Sequence, residues 1–138
     1  MTEQSIYDTG FLFAVLDEKD FHHANCLKVY EFEDYALLPV IVLPELAYLI
    51  KRELNTKVLT AFLKKVADGK FELIQTTESD LERAAEILEQ YDDNNIDLVD
   101  ACVVAMAERL NIKKILTIDR RHFGVFRPKH CEAFQLLP

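Results

Sequence analysis

Five acidic side chains stand at the ends of otherwise apolar segments, and this pattern restricts both the fold and the chemistry open to the chain. They are Asp8, Glu45, Asp97, Asp100 and Asp119. Burying a carboxylate is costly unless the group is paired or binds a metal ion, and no Lys or Arg lies at helical spacing within these segments. The pattern therefore predicts that the five acids share one cation site.

The size and composition fit one domain, spanning residues 1–138, with a full hydrophobic core. Half of the 138 residues are hydrophobic and only 3 are glycine and 4 proline, so extensive disorder is not expected. No apolar segment reaches the roughly 20 residues of a membrane span, and residues 1–4 lack the positive start of a secretion signal. Cys26, Cys102 and Cys131 form no CxxC pair, which favours a reducing cytoplasm over disulfides or a zinc site. We therefore expect a cytoplasmic protein with no membrane association, and Cys102 in its core.

Segments with strand and helix character alternate along the chain. Strands are predicted at residues 5–7, 35–38, 71–74, 114–118 and 132–136. Helices are predicted at residues 11–16, 20–33, 44–54, from 55 or 56 to 68, 78–91 and 98–110, with Asp20, Thr77 and Asn111 among the residues that begin or end them. This alternation is typical of an α/β fold with a mainly parallel sheet and helices on both faces.

The predicted fold brings the five acids to one place. Asp8 and Asp119 end strands, whereas Glu45, Asp97 and Asp100 begin helices. In a parallel α/β sheet the carboxyl ends of strands and the amino ends of helices lie along the same edge, where such folds bind ligands. All five acids should therefore meet at that edge.

The charge distribution allows two interpretations of the basic residues. A net charge of −8 is unusual for a nucleic-acid-binding protein. Residues 113–131, however, contain six Lys and Arg residues against the single acid Asp119. These basic residues fit either an ordinary solvated surface or a rim that contacts phosphate, for which Arg120, Arg121 and Lys129 are the candidates.

The acids favour a magnesium or manganese site. Carboxylate oxygens are the ligands that Mg²⁺ and Mn²⁺ prefer, whereas His and Cys favour zinc. Two such ions about 4 Å apart can stabilise both the attacking and the leaving oxygen in phosphodiester hydrolysis. Each acid also has an ordinary explanation: Asp97, for example, could be a plain helix cap, while Asp100 within an apolar helix is the hardest to explain otherwise. His122 and His130 follow Asp119 and could contact phosphate, but they lack the spaced partners of a zinc site.

Four short segments together resemble the PIN-domain ribonucleases, in particular the VapC-like toxins of prokaryotic toxin–antitoxin pairs. They are residues 6–10 (IYDTG), 43–46 (LPEL), 97–101 (DLVDA) and 116–123 (LTIDRRHF). The resemblance covers nearly the whole chain and implies that Asp8, Glu45, Asp100 and Asp119 bind the metal, with Asp97 as an additional catalytic acid.

The same resemblance implies a five-stranded parallel sheet of order 3-2-1-4-5 and cleavage of RNA dependent on Mg²⁺ or Mn²⁺. It further implies a homodimer, with Phe11, Phe13 and Tyr48 as compatible surface residues, and a small antitoxin that covers the site. Two alternatives remain open from the residues themselves: a receiver-like signalling module that is phosphorylated on aspartate, and a non-catalytic module that keeps the acids for structure.

Overall fold

The computed structural model describes residues 3–138 and contains one five-stranded parallel sheet. The strands are β1 (Ser5–Tyr7), β2 (Ala36–Pro39), β3 (Glu72–Ile74), β4 (Lys114–Leu116) and β5 (Gln135–Leu137). Their order is β3-β2-β1-β4-β5, with β1 in the centre. Ile6 of β1 lies opposite Leu37 of β2 on one side and Ile115 of β4 on the other. The α/β class and the 3-2-1-4-5 order are confirmed.

Seven α-helices connect and cover the strands. They are α1 (Thr9–Leu16), α2 (His23–Phe32), α3 (Leu43–Glu53), α4 (Thr56–Ala67), α5 (Glu78–Gln90), α6 (Leu98–Leu110) and α7 (Arg120–Phe123). Helices α1 to α4 pack mainly with one another, and α5 packs on α6. The chain runs from β1 through β2 to β3 at one edge of the sheet, and then returns to β4 on the other side of β1. Because crossovers between parallel strands are right-handed, this reversal places α1 to α4 on one face of the sheet and α5 and α6 on the other.

Most helix ends follow the local sequence signals, but several boundaries differ from the prediction. The Thr77 cap and the left-handed Asn111 that ends α6 are present. Helix α2 begins at His23 rather than Asp20, because the Asp20 carboxylate accepts the His22 backbone N–H in a preceding turn (2.8 Å). Strand β5 lies at Gln135–Leu137 rather than 132–136, and β4 ends at Leu116, two residues earlier than expected.

Helix α6 forms the centre of the hydrophobic core. Its residues from Ala101 to Ala107 are all buried, including Cys102, as predicted. On α5, Ile87 is fully buried, whereas Leu81 is 48% exposed. The expectation that Phe11 lies on the surface was wrong, because its side chain is fully buried and cannot serve as a surface contact.

Tyr48 lies on the surface of α3. Its side chain is 62% exposed, and the Arg52 guanidinium lies over its ring at 5.4 Å.

All three cysteines are free thiols. Across residues 3–138, none of the helices combines the length and hydrophobicity that crossing a bilayer requires.

Candidate active site

A cavity of about 470 Å³ opens at the carboxyl edge of the sheet, and all five predicted acids line it. Asp8 directly follows β1, and Asp119 follows β4 after two residues. Glu45 lies in the first turn of α3, Asp97 caps α6 and Asp100 lies in its first turn. Side chains that are up to 111 residues apart in the chain (Asp8 to Asp119) thus face one space.

Asp8 is held at the bottom of the cavity by Thr117. The carboxylate is 6% exposed, and its Oδ2 accepts the Thr117 hydroxyl at 2.8 Å. The same Thr117 Oγ1 accepts the Asp119 backbone N–H at 2.9 Å, so one hydroxyl fixes both strand-end acids. Burial, opposed in part by this hydrogen bond and reinforced by Asp119 and Glu45, raises the pKa of Asp8 to about 6.

Asp97 and Asp100 hold each other at the start of α6. The Asp100 backbone N–H donates to Asp97 Oδ1 at 2.8 Å, and the Asp97 N–H donates to Asp100 Oδ2 at 3.4 Å. This capping box fixes both side chains over the helix terminus. Burial, followed by the charges of Asp97 and Asp8, raises the pKa of Asp100 to about 8. Asp97 therefore has the capping role that its position predicted, and it also faces the cavity.

Asp119 begins the short helix α7 and is paired with His122. Asp119 Oδ1 accepts the His122 backbone N–H at 2.9 Å, and its Oδ2 lies 2.8 Å from His122 Nδ1. The same Nδ1 is 3.9 Å from Asp100 Oδ2. One donor atom from each of Asp100, Asp119 and His122 lies within 4.8 Å of the others. His122 therefore belongs to the site, although the sequence analysis expected it only as a phosphate contact. Its spacing of three residues from Asp119 could have indicated that the two side chains meet.

Two small residues after Asp8 complete the wall of the cavity. Thr9 is 2% exposed, and its hydroxyl oxygen has no hydrogen-bond partner within residues 3–138. A buried polar atom without a partner is rare in folded proteins and is available to a ligand here. Gly10 allows α1 to pack closely beside the segment that follows β4, because a Cβ at this position would lie 3.2 Å from Ile118 Cγ1.

The three basic candidates do not come together at this cavity. The Arg120 guanidinium donates to the backbone carbonyls of Leu136 and Pro138 at the end of β5. Arg121 is exposed on α7. Lys129 lines a separate cavity beside α5 and α6, where its Nζ lies 3.8 Å from Glu86.

The donor set fits a hard divalent cation. Five carboxylates and one imidazole face the cavity, and Mg²⁺ and Mn²⁺ bind carboxylate oxygens. The raised pKa values of Asp8 and Asp100 show that the buried acids resist ionisation when only protein groups surround them. A cation would reverse that effect.

Comparison with known proteins places this arrangement in a family. The PIN domain family model matches residues 6–126, which include all five acids. The chain belongs to the PIN domain family. This PIN domain is 33% identical over 134 residues to Ribonuclease VapC26 of Mycobacterium tuberculosis, covering 96% of the chain and 99% of that protein.

Solved structures confirm that this PIN domain has the family's fold. VapC20 of Mycobacterium tuberculosis, a sarcin–ricin loop cleaving toxin, superposes with a TM-score of 0.75 at 20% identity, covering 80% of this chain and 86% of that one. A toxin–antitoxin complex from Klebsiella pneumoniae gives a TM-score of 0.67 at 16% identity, with 88% and 92% covered.

The strand order argues against the receiver-like alternative. Receiver-like modules use the doubly wound order 2-1-3-4-5, whereas the order here is 3-2-1-4-5. In the receiver order β1 lies beside β3, but here it lies between β2 and β4. The acids of this PIN domain therefore occupy a different topology from that of a phosphorylated aspartate site.

Proposed function

We propose that this protein is a metal-dependent endoribonuclease that hydrolyses RNA phosphodiester bonds and acts as the toxin of a toxin–antitoxin pair. One observation carries the proposal: five carboxylates from separate parts of the chain line a single cavity at the carboxyl edge of the sheet. It is supported by 33% identity, over nearly the full length of both chains, to a protein named as a ribonuclease.

The residues that would hold Mg²⁺ or Mn²⁺ are Asp8, Glu45, Asp100 and Asp119, with Asp97 as a further catalytic acid. When bound, the ion would supply a Lewis acid that activates water and offsets the negative charge that develops on the phosphate. The donors are oxygens of the kind that both metals prefer. The N-termini of α3 and α6, which carry Glu45 and Asp100, reduce the mutual repulsion of the acids.

The remaining side chains would position these acids and the RNA. Thr117 fixes the Asp8 carboxylate, and the α7 backbone fixes Asp119. Asp100 or Asp119 would orient the attacking water. Of the three phosphate candidates we put Arg121 first, since it is exposed two residues after Asp119. Arg120 would first have to leave the carbonyls that it now contacts.

The proposal includes two protein partners and a location. A small antitoxin would inhibit the nuclease by covering the cavity, in keeping with the toxin–antitoxin complex that shares this fold. A homodimer could use the exposed Tyr48 on α3. We place the reaction in the cytoplasm, where RNA is abundant and the three free thiols would stay reduced.

The test is cleavage of fluorescently labelled RNAs by the purified full-length protein with Mn²⁺, Mg²⁺ or EDTA. We expect cleavage only with a divalent metal, and loss of cleavage in Asp8→Asn and Asp100→Asn. Asp68→Asn, an isosteric change at an exposed aspartate, is the matched control and should retain activity. Metal-independent cleavage, or full activity of Asp100→Asn, would contradict the proposed site. Absence of cleavage across several RNAs would favour the non-catalytic alternative.

Mapping of RNA ends after induced expression in cells would then identify the target. New 5′ ends at a small set of positions are expected with the unaltered protein and not with Asp100→Asn. Ends that appear equally with both proteins would indicate a secondary effect of expression.

A further inference from the structure

Within residues 3–138, the group of side chains that could share a metal ion contains one nitrogen donor, the His122 imidazole. Its Nδ1 lies 2.8 Å from Asp119 Oδ2 and 3.9 Å from Asp100 Oδ2. Donors bound octahedrally at about 2.1 Å from an ion are about 3 Å apart when adjacent and about 4 Å apart when opposite. The two distances therefore match an arrangement in which His122 and the two carboxylates share one ion.

We propose that His122 is a direct metal ligand and that its nitrogen makes the site prefer Mn²⁺ over Mg²⁺. This inference rests on the proposed function, because it assumes that the acidic cavity binds a divalent ion. Imidazole suits transition metals, whereas Mg²⁺ strongly favours oxygen donors. A site of carboxylates alone would lack this source of selectivity.

The local structure prepares the ring for this role. The His122 backbone N–H is bound to Asp119 Oδ1, which leaves Asp119 Oδ2 to the ring. The side chain is only 26% exposed, so little conformational freedom remains to be lost on binding. The ring and its neighbouring carboxylate are thus held together by the same short helix.

Binding requires Nδ1 to release the proton that it donates to Asp119. A carboxylate accepts hydrogen bonds only, so the contact with Asp119 places a proton on Nδ1. On metal binding, this proton leaves to solvent and the ring carries its proton on Nε2. The Nδ1 lone pair is then free for the ion.

A positioning role is the competing explanation. If His122 only orients Asp119, its removal should weaken every metal by a similar factor, because it acts through a carboxylate that both ions use. Direct ligation instead predicts a loss that is specific to Mn²⁺. The ratio of the two affinities therefore distinguishes the two roles.

The experiment is calorimetric titration of the full-length protein with Mn²⁺ and, separately, with Mg²⁺. His122→Asn is the test variant, because its amide can still donate to Asp119 but is a poor metal ligand. We expect Mn²⁺ affinity to fall by about tenfold or more and Mg²⁺ affinity by less than about twofold. His22→Asn, at the start of α2, is the matched control and should change neither. Superimposable melting curves in EDTA would show that the variants are folded.

Pulsed electron paramagnetic resonance of the Mn²⁺ complex gives a direct second readout. A ¹⁴N coupling from a bound imidazole is expected in the unaltered protein and should disappear in His122→Asn. Equal losses of both metals, or no ¹⁴N coupling, would overturn the role of His122 while leaving the acidic metal site intact. Failure of the unaltered protein to bind either metal would overturn the proposed function together with this inference.

Discussion

At the scale of single residues, burial sets the behaviour of the acidic site. Asp8 and Asp100 are 6% and 8% exposed, and in both cases burial is the largest cause of the raised pKa. Their like-charged neighbours add to the effect. The two acids therefore lower the free energy of unfolding most when both are ionised and no cation is present.

This property predicts that the metal-free protein loses stability as the pH rises from about 4 to about 8. A folded acid with a raised pKa keeps its proton where the unfolded chain has released it, so raising the pH favours unfolding. For Asp8, a change from 3.8 to about 6 corresponds to about 3 kcal/mol. The difference in unfolding free energy between pH 5 and pH 8, measured with urea in EDTA, contains about 1.4 kcal/mol of this for Asp8, because pH 5 lies only about one unit below the pKa of the folded state. Asp8→Asn and Asp100→Asn should each reduce it, and Asp68→Asn should not.

A second prediction at this scale concerns Arg121 and Lys129, which the sequence analysis named equally as phosphate contacts. Arg121 is exposed on α7, whereas Lys129 lies near Glu86 beside another cavity. We expect Arg121→Gln to weaken RNA binding and to lower the slope of log Kd against log salt by about 0.7. Lys129→Gln should have the smaller effect. Fluorescence anisotropy in the inactive Asp100→Asn background measures both, and equal effects would refute the distinction.

At the scale of elements, an ion pair between the buried Asp80 and the partly exposed Arg109 joins α5 to α6. Asp80 Oδ1 and Oδ2 accept Arg109 Nε and Nη2, each at 2.9 Å, and Asp80 is 2% exposed. Although burial raises the pKa of Asp80, hydrogen bonds from Arg109 and Thr77 outweigh it and hold that pKa below its ordinary value. Since α6 carries Asp100, this pair helps to set the position of the site.

We therefore predict that Asp80→Ala lowers the free energy of unfolding by about 1–3 kcal/mol, because it removes the hydrogen bonds that the carboxylate accepts from Arg109 and from the Thr77 backbone N–H. The exposed pair Arg52–Glu53 provides the control, and Glu53→Ala should change stability by less than about 0.5 kcal/mol. Chemical denaturation measures both. Similar small effects would mean that the α5–α6 contact depends on apolar packing alone.

At the scale of the whole molecule, we expect metal binding to stabilise the entire fold. The acids come from the segments directly after β1 and β4 and from the starts of α3 and α6, so an ion bound between them links these four elements. A ligand at about 100 times its Kd adds about 2.7 kcal/mol, which for a chain of this size is on the order of 10 °C in Tm.

Thermal melts with millimolar Mg²⁺ or Mn²⁺ test this expectation against NaCl at matched ionic strength. Asp100→Asn should melt at a temperature that hardly depends on the metal, whereas Asp68→Asn should behave as the unaltered protein does. A Tm that stays constant on adding either metal would count against a cation between the acids.

Local sequence determined much of this molecule. The bounds of α6, its Asp97 cap and its left-handed Asn111 follow from residues within the helix or next to it. The alternation of strands and helices then placed the acids at one edge, because parallel α/β connections allow no other arrangement. The strand order was expected only from the family resemblance, since no short segment specifies which strands become neighbours.

Tertiary structure decided what depends on contacts between distant residues. The Thr117–Asp8 bond joins residues 109 apart, and the Asp80–Arg109 pair joins residues 29 apart. Neighbouring elements likewise determine that Phe11 is fully buried and that Leu81 is exposed. They also place α7, through His122, at the acidic cavity and Lys129 at a different one. Periodicity and capping act over a few residues and fix local geometry. The surroundings of a side chain, and hence its pKa and its partners, exist only once the elements have packed.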